Sequence, residues 1–125
     1  MFVPYRYLVR VEVVYANHDG RNSTSLEFDL HLGPNYWDTV SVAGINQVWE
    51  AVFVAWAGWA PVCLVNTGGG TPFVSVVELR QLPGALYPPV TENQALSKYD
   101  RQNMGTNNSI TRYVRHHSFL PCFFL

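Results

Sequence analysis

The feature that most restricts this chain is an alternation of period two that begins near its N-terminus. From Tyr5 to Tyr15 every odd position is apolar or aromatic (Tyr5, Tyr7, Val9, Val11, Val13, Tyr15), whereas Arg6, Arg10 and Glu12 fall on the other parity. Successive side chains of a strand point to opposite faces, so this pattern builds one apolar face and one wet face. Leu26, Phe28, Leu30 and Leu32 repeat it against Glu27, Asp29 and His31, and Ala16 to Thr24 between the two runs is rich in turn formers. A third strand is expected over Tyr36–Val42, after Gly33-Pro34-Asn35. Val48–Trp56 is apolar on both parities except at Glu50, which predicts a strand covered on both faces. Val62–Val65 and Phe73–Leu79 read as two strands joined by a glycine-rich reversal. There Asn66, Gly68, Gly69 and Gly70 tolerate positive φ and Pro72 fixes φ as the second strand begins. A phosphate cradle does not fit, because Thr71-Pro72-Phe73 stands where a Walker loop needs Lys and then Ser or Thr at a helix start. Short strands with turn signals about every ten residues predict an all-β fold, an antiparallel β-sandwich or jelly roll.

After Leu82 the character changes. Pro83-Gly84 and Pro88-Pro89 mark an irregular connection, and Thr91-Glu92-Asn93-Gln94 has the spacing of a capping box, so local rules predict a helix running toward Met104-Gly105. Ile110–Val114 is a further candidate strand. With 125 residues the chain is one domain, or one complete piece and part of another. Only 14% of residues are charged against 48% hydrophobic, too few charges to cover a whole surface, so some apolar surface is expected to be covered by something else.

Several function classes drop out. Net charge is −1 and the basic residues are scattered from Arg6 to Arg115, which leaves no electrostatic footprint for nucleic acid. The most apolar window, Val48–Ala60, is too short for a membrane span and holds Glu50, and the N-terminus shows no leader pattern. His18, His31, His116 and His117 stand near Asp19 and Asp29 in no arrangement that resembles a nucleophile elbow or a zinc motif, so neither catalysis nor metal or cofactor binding is expected. Cys63 lies in an apolar run and Cys122 near the terminus; two such thiols are more often one buried residue and one incidental one than a bridge, and the pairing stays open.

Tyr7-Leu8-Val9-Arg10, Tyr15-Ala16-Asn17-His18-Asp19-Gly20, Phe28-Asp29-Leu30-His31-Leu32-Gly33, Asn35-Tyr36-Trp37-Asp38-Thr39-Val40 and Val62 to Phe73 with its Asn-Thr-Gly-Gly-Gly-Thr-Pro centre together resemble the malectin-like domain of plant receptor-like kinases, especially leucine-rich-repeat ones, in register from about Tyr5 to Tyr113. The resemblance implies a non-catalytic extracellular β-sandwich at the plasma membrane, ahead of a membrane helix and a kinase that these residues do not include. It implies a carbohydrate, such as a cell-wall one, or a peptide as ligand, with a receptor as a further partner. Family domains pair two such sandwiches. Residues 1–83 correspond to the later strands of the first, 84–100 to a connection, and 101–125 to the start of the second, where the family favours extended structure near Arg101. The family continues differently after Tyr113, begins upstream of Met1, and is more polar across Trp56–Pro61. An incomplete sandwich is therefore expected, and the alternative expectation is a truncated product without activity of its own, its unpaired edges inviting other strands.

Sugar recognition sets aromatic faces against a pyranose and polar groups against its hydroxyls. Two turns offer that mixture: Tyr15, Asn17 and Asp19 in one, and Asn35, Tyr36, Trp37 and Asp38 in the other. They could form one shallow site if both lay at the same end of the sandwich; otherwise the aromatics serve as core or corner residues. Asn22-Ser23-Thr24 and Asn107-Asn108-Ser109 are glycosylation sequons, suited to a secreted chain.

Overall fold

A computed structural model describes residues 5–42, 46–55 and 62–98. Seven strands follow in order: β1 Arg6–Val13, β2 Leu26–Leu32, β3 Asn35–Val42, β4 Gln47–Val54, β5 Val62–Gly69, β6 Val76–Leu82 and β7 Leu96–Ser97. They form two antiparallel sheets, ordered β6-β1-β4-β7 and β3-β2-β5. The alternation in β1 and β2 supplies the facing surfaces. Val9, Val11 and Val13 of one sheet pack with Leu26, Phe28 and Leu30 of the other, joined by Val40, Val42, Ala51 and Phe53, all buried. Such burial stabilises by about 1.5–3 kcal/mol per large side chain, which holds the two layers together.

The glycine-rich segment differs from its expected role. Its two strands do not pair with each other: β5 joins β2 and β6 joins β1, so the connection crosses from one sheet to the other. Most of the glycine run is strand rather than turn. Asp29 opposes Val65 and Glu27 opposes Gly69, which leaves Asn66, Thr67 and Gly68 opposite Phe28 alone in a wide bulge. Gly68 takes φ +92°, and a Cβ on Gly69 would stand 2.7 Å from the Glu27 carbonyl oxygen, so the bulge needs glycine for two separate reasons.

The helix expected from Thr91 is also absent over residues 91–98. The Thr91 hydroxyl does accept a hydrogen bond from the Asn93 amide (3.3 Å), as a cap would, but the chain then closes a Thr91–Gln94 bridge and β7 pairs with the edge of β4. Edge pairing and the burial of Leu96 against Val52, Val54 and Val90 outweigh a weak local propensity. Before reaching that edge, the segment from residue 83 lies against the outer face of the larger sheet, with Val90 packed on Val52 and Val54. Arg6 ties the strap down through bonds to the carbonyls of Val90 and Gly84, and Val90 is fully buried. On the same outer face Arg10, expected in water, is only 6% exposed, and Glu50 only 3%. Arg10 lies 3.8 Å from both Glu50 and Glu12, and Lys98 lies 3.4 Å from Glu50. The expected double-faced burial of the fourth strand has this origin, with Ala51 and Phe53 in the sandwich, Val52 and Val54 against Val90, and Glu50 between Arg10 and Lys98.

One side of the sandwich is fastened and the other open. The Trp49 indole of β4 donates to Asp38 of β3 (2.7 Å), and the Trp37 indole donates to the Ser97 hydroxyl of β7 (3.2 Å), so side chains bridge the layers there. On the opposite side the inward residues Val62, Leu64, Val77 and Leu79 are only half-buried. Cys63 is half-buried on β5, while Cys122, the helix and strand expected beyond Lys98, the second unit from residue 101 and the sequon at Asn107 lie outside the described residues. No helix among the described residues is long and apolar enough to cross a membrane.

Candidate functional site

The connection from Val14 to Ser25 folds on itself around one phenol. The Tyr15 hydroxyl donates to Asp19 Oδ1 (2.6 Å) and accepts from the Ser23 amide (3.0 Å). Asn17 Oδ1 accepts from the Asn22 amide (2.7 Å), and Asp19 Oδ1 accepts from the Arg21 amide (3.1 Å). Asn17, Gly20 and Asn22 adopt left-handed φ of 54°, 69° and 46°, conformations that asparagine and glycine accept more readily than other residues. The Tyr15 hydrogen bond, helped by the Arg21 amide, holds the Asp19 carboxyl below its ordinary range. The same bond, with partial desolvation, raises the Tyr15 phenol above its usual value.

Below the loop lies an aromatic cluster. Phe73, from the crossover between β5 and β6, has its ring 4.5 Å from His18 and 6.1 Å from both Tyr15 and Phe28. The crossover and the first loop are thus packed as one end of the sandwich. Between them runs an open groove of about 370 Å³, lined by Asp19, Arg21, Ser23, Ser25 and the backbone at Gly69–Thr71. Its lining residues include an acidic, a basic and several hydroxyl-bearing ones, residue types able to bond a ligand rich in hydroxyl or amide groups.

The two turns singled out from sequence do not meet. Tyr15, Asn17 and Asp19 stand at the end where Leu26 starts β2, whereas Asn35 pairs with Leu32 at its other end, roughly 20 Å away at the usual strand rise. A bulge opposite Leu30 and His31 redirects the second set. It brings Asp38 opposite the inward Leu30, where it serves the Trp49 indole, and Trp37 reaches Ser97. Those two residues fasten the sheets together. Tyr36 is 60% exposed on the outer face, its ring edge-on to His31 at 5.8 Å, with its hydroxyl bonded to Thr39, which in turn donates to Asp29 (2.7 Å). Asn35 is exposed at the start of β3.

Sequence reasoning missed Arg21, Ser23, Ser25, Thr71 and Phe73 as neighbours of the Tyr15 loop. The Thr-Pro-Phe after the glycine run is the sequence signal, and the crossover between sheets is what sets Phe73 against His18. Among the described residues no group of three His, Cys, Asp or Glu side chains could hold a metal ion. The His18 ring packs on Phe73 and Tyr15 rather than on a nucleophile.

Comparison with known proteins places these residues in context. The profile of the family described as Malectin-like domain matches residues 3–118. The chain is 37% identical over 109 residues to a probable LRR receptor-like serine/threonine-protein kinase of Arabidopsis thaliana, covering 86% of this chain and 12% of that protein. A second Arabidopsis thaliana relative of the same description is 38% identical over 109 residues, with the same coverage. The LRR receptor-like serine/threonine-protein kinase IOS1 of Arabidopsis thaliana is 34% identical over 110 residues, again 86% of this chain and 12% of the relative. The chain therefore spans only 12% of the length of these curated relatives. No solved structure is a significant match.

Proposed function

Because this chain belongs to the malectin-like domain family, we propose that it serves as a non-catalytic recognition module in the extracellular part of a plant receptor-like kinase, at the outer side of the plasma membrane. Its ligand is a carbohydrate or a peptide, received in the groove between the Tyr15–Ser25 loop and Gly69–Thr71. The observation that carries this reading is that Asp19, Arg21, Ser23, Ser25, Gly69 and Gly70 line one groove, bordered by a loop closed by its own hydrogen bonds. A loop ordered in advance loses less entropy when a ligand arrives. Family membership over residues 3–118 leaves no stretch of these 125 residues for a kinase domain. Residues 101–125 are proposed to enter a second sandwich of the same family.

Asn22 is exposed at the groove rim and heads a sequon, so an N-linked glycan there would stand beside any ligand. The test is a backbone NMR titration of glycan-free protein with cell-wall oligosaccharides and with an arrayed peptide set. The reading expects shift changes confined to residues 19–25 and 69–71, lost in Arg21→Ala and reduced when Asn22 is glycosylated. Changes centred on Tyr36 and His31 instead would move the site to the outer face of the smaller sheet. A second reading, a chain without binding activity of its own, draws on the half-buried Val62, Leu64, Val77 and Leu79 along the open side. It expects no response to any ligand.

A further inference from the structure

The sequon Asn22-Ser23-Thr24 is part of the groove itself, since all three residues line it. Its backbone is held at two successive amides, Asn22 to Asn17 Oδ1 (2.7 Å) and Ser23 to the Tyr15 hydroxyl (3.0 Å), and Asn22 takes a left-handed φ of 46°. The side-chain groups that N-glycosylation needs are left over. Among the described residues neither the Asn22 carboxamide nor the Thr24 hydroxyl makes a hydrogen bond, and both residues are exposed. The facing wall is Gly69, Gly70 and Thr71. A Cβ on Gly69 would stand 2.7 Å from the Glu27 carbonyl oxygen, and Gly70 takes φ +128°, where side chains are rarely carried, so most of that wall stays bare backbone. From this placement we infer that Asn22 carries an N-linked glycan whose first sugar lies in the groove against Gly69–Thr71. The chain thereby supplies its own occupant, which a free ligand has to displace.

The inference deepens the reading above and rests on its extracellular placement, because the transfer uses a lipid-linked oligosaccharide of the secretory route. In that step Asn22 Nδ2 forms a bond to C1 of N-acetylglucosamine and gives up a proton, while the lipid diphosphate leaves with the electron pair of the broken C1–O bond. Nothing is oxidised or reduced. The sugar is neutral and offers hydroxyls and an acetamido group, which suit a wall of peptide groups and one threonine. A sugar tethered on a short stem experiences an effective concentration in the millimolar range, so contacts too weak to hold a free monosaccharide still fill the groove. The two held amides at the stem limit the directions it can take, which lowers the entropy lost on seating. At about 370 Å³ the groove is near the lower end for small-molecule sites, so seated sugar and ligand exclude one another.

The test secretes the full chain from plant cells behind a cleavable leader and locates the glycan by peptide mass. Amide hydrogen exchange at Gly69–Thr71 is then compared with Thr24→Ala, which lacks the sequon, and Thr24→Ser, which keeps it, with far-UV circular dichroism confirming fold. Wild type and Thr24→Ser are expected to exchange there at least about twofold more slowly than Thr24→Ala, the ratio for a groove half-filled by its tethered sugar. Trimming the glycan to one N-acetylglucosamine is expected to keep that difference. An unmodified Asn22 in the secreted wild type overturns the inference. So does a modified Asn22 with Gly69–Thr71 exchanging as fast as in Thr24→Ala, which puts the glycan in solvent. The groove as a ligand site is judged separately on Thr24→Ala. Oligosaccharide or peptide binding by that variant sustains the reading above even where the wild-type glycan points away, and no binding counts against that reading even where the glycan is seated.

Discussion

Removing Glu50 probes the feature of this sheet that local patterning hides. Its carboxylate is 3% exposed, 3.8 Å from the Arg10 guanidinium and 3.4 Å from the Lys98 ammonium. Among the described residues Arg10 Nε and Nη1 find no hydrogen-bond acceptor. At an effective dielectric of about 20, a pair at such distances attracts by roughly 4 kcal/mol, a gain opposed by the desolvation of both ions. Among the described residues Glu50→Ala leaves Glu12 as the one ion-pair partner of the buried Arg10, and breaking a buried pair from one side costs about 3–5 kcal/mol. With a urea m-value of about 1–1.5 kcal/mol/M for a chain of this size, the unfolding midpoint falls by roughly 2–5 M. Replacing both ions in Arg10→Met/Glu50→Leu puts apolar groups beside Leu8 and Val52. Because Lys98 is partly exposed and can carry its head to water, the double variant is expected within about 1 kcal/mol of wild type, or above it. Tryptophan fluorescence through a urea series reads all three proteins. A single variant that loses less than about 1 kcal/mol, or a double variant that loses as much as the single, would refute burial of the pair.

The two glycine requirements of the bulge separate by substitution. Gly69→Ala meets the Glu27 carbonyl and is expected to cost about 1–3 kcal/mol, whereas Gly68→Asn, at a left-handed position in open space, costs under about 1 kcal/mol, both read by thermal unfolding. Trp37→Phe and Asp38→Asn each remove or weaken an inter-sheet hydrogen bond and lower stability by about 1 kcal/mol, while the ligand-induced shifts in the groove stay as in wild type. The Tyr15–Asp19 bond sets a pH window for loop order. The depressed Asp19 carboxyl stabilises above its unfolded pKa and loses that contribution as pH falls through the lower folded one. The raised Tyr15 phenol stabilises below the ordinary tyrosine value and loses its contribution as pH climbs through the folded one. NMR of the Asp19 carboxyl carbon and phenolate absorbance against Tyr15→Phe follow the two limbs. A normal titration of either group would contradict the bond.

What was legible in the chain was whatever a single strand encodes by itself. Leu26–Leu32 is a strand over the expected residues because its alternation is local, and β1 needed only trimming to Arg6–Val13. What covers a face is not local. Parity put Arg10 on the face away from Val9 and Val11, but that face is covered in part by residues far along the chain, with Val90 packed on Val52 and Val54 and Lys98 beside Glu50. The glycine run is ambiguous for a related reason, because residues that permit a reversal also permit a bulge, and only the position of Glu27 decides between them. Trp37 and Asp38 look like ligand residues in sequence because an aromatic next to a carboxylate fits both a sugar and an indole donor. The Trp49 that claims Asp38 lies in the other sheet. Of the two predicted site turns, the Tyr15 loop keeps its place beside a groove because its hydrogen bonds are short-range. The other is dispersed by a bulge that no spacing rule announces.

Membership of β5 and β6 in different sheets is the arrangement on which the groove and the open side both depend. Backbone NMR on the labelled chain decides it through cross-strand contacts between backbone protons. The account predicts contacts for Val9 with Leu79 and for Leu30 with Leu64, and none between Val62–Val65 and Val76–Leu79. A ladder of contacts joining those last two segments as a hairpin would contradict it.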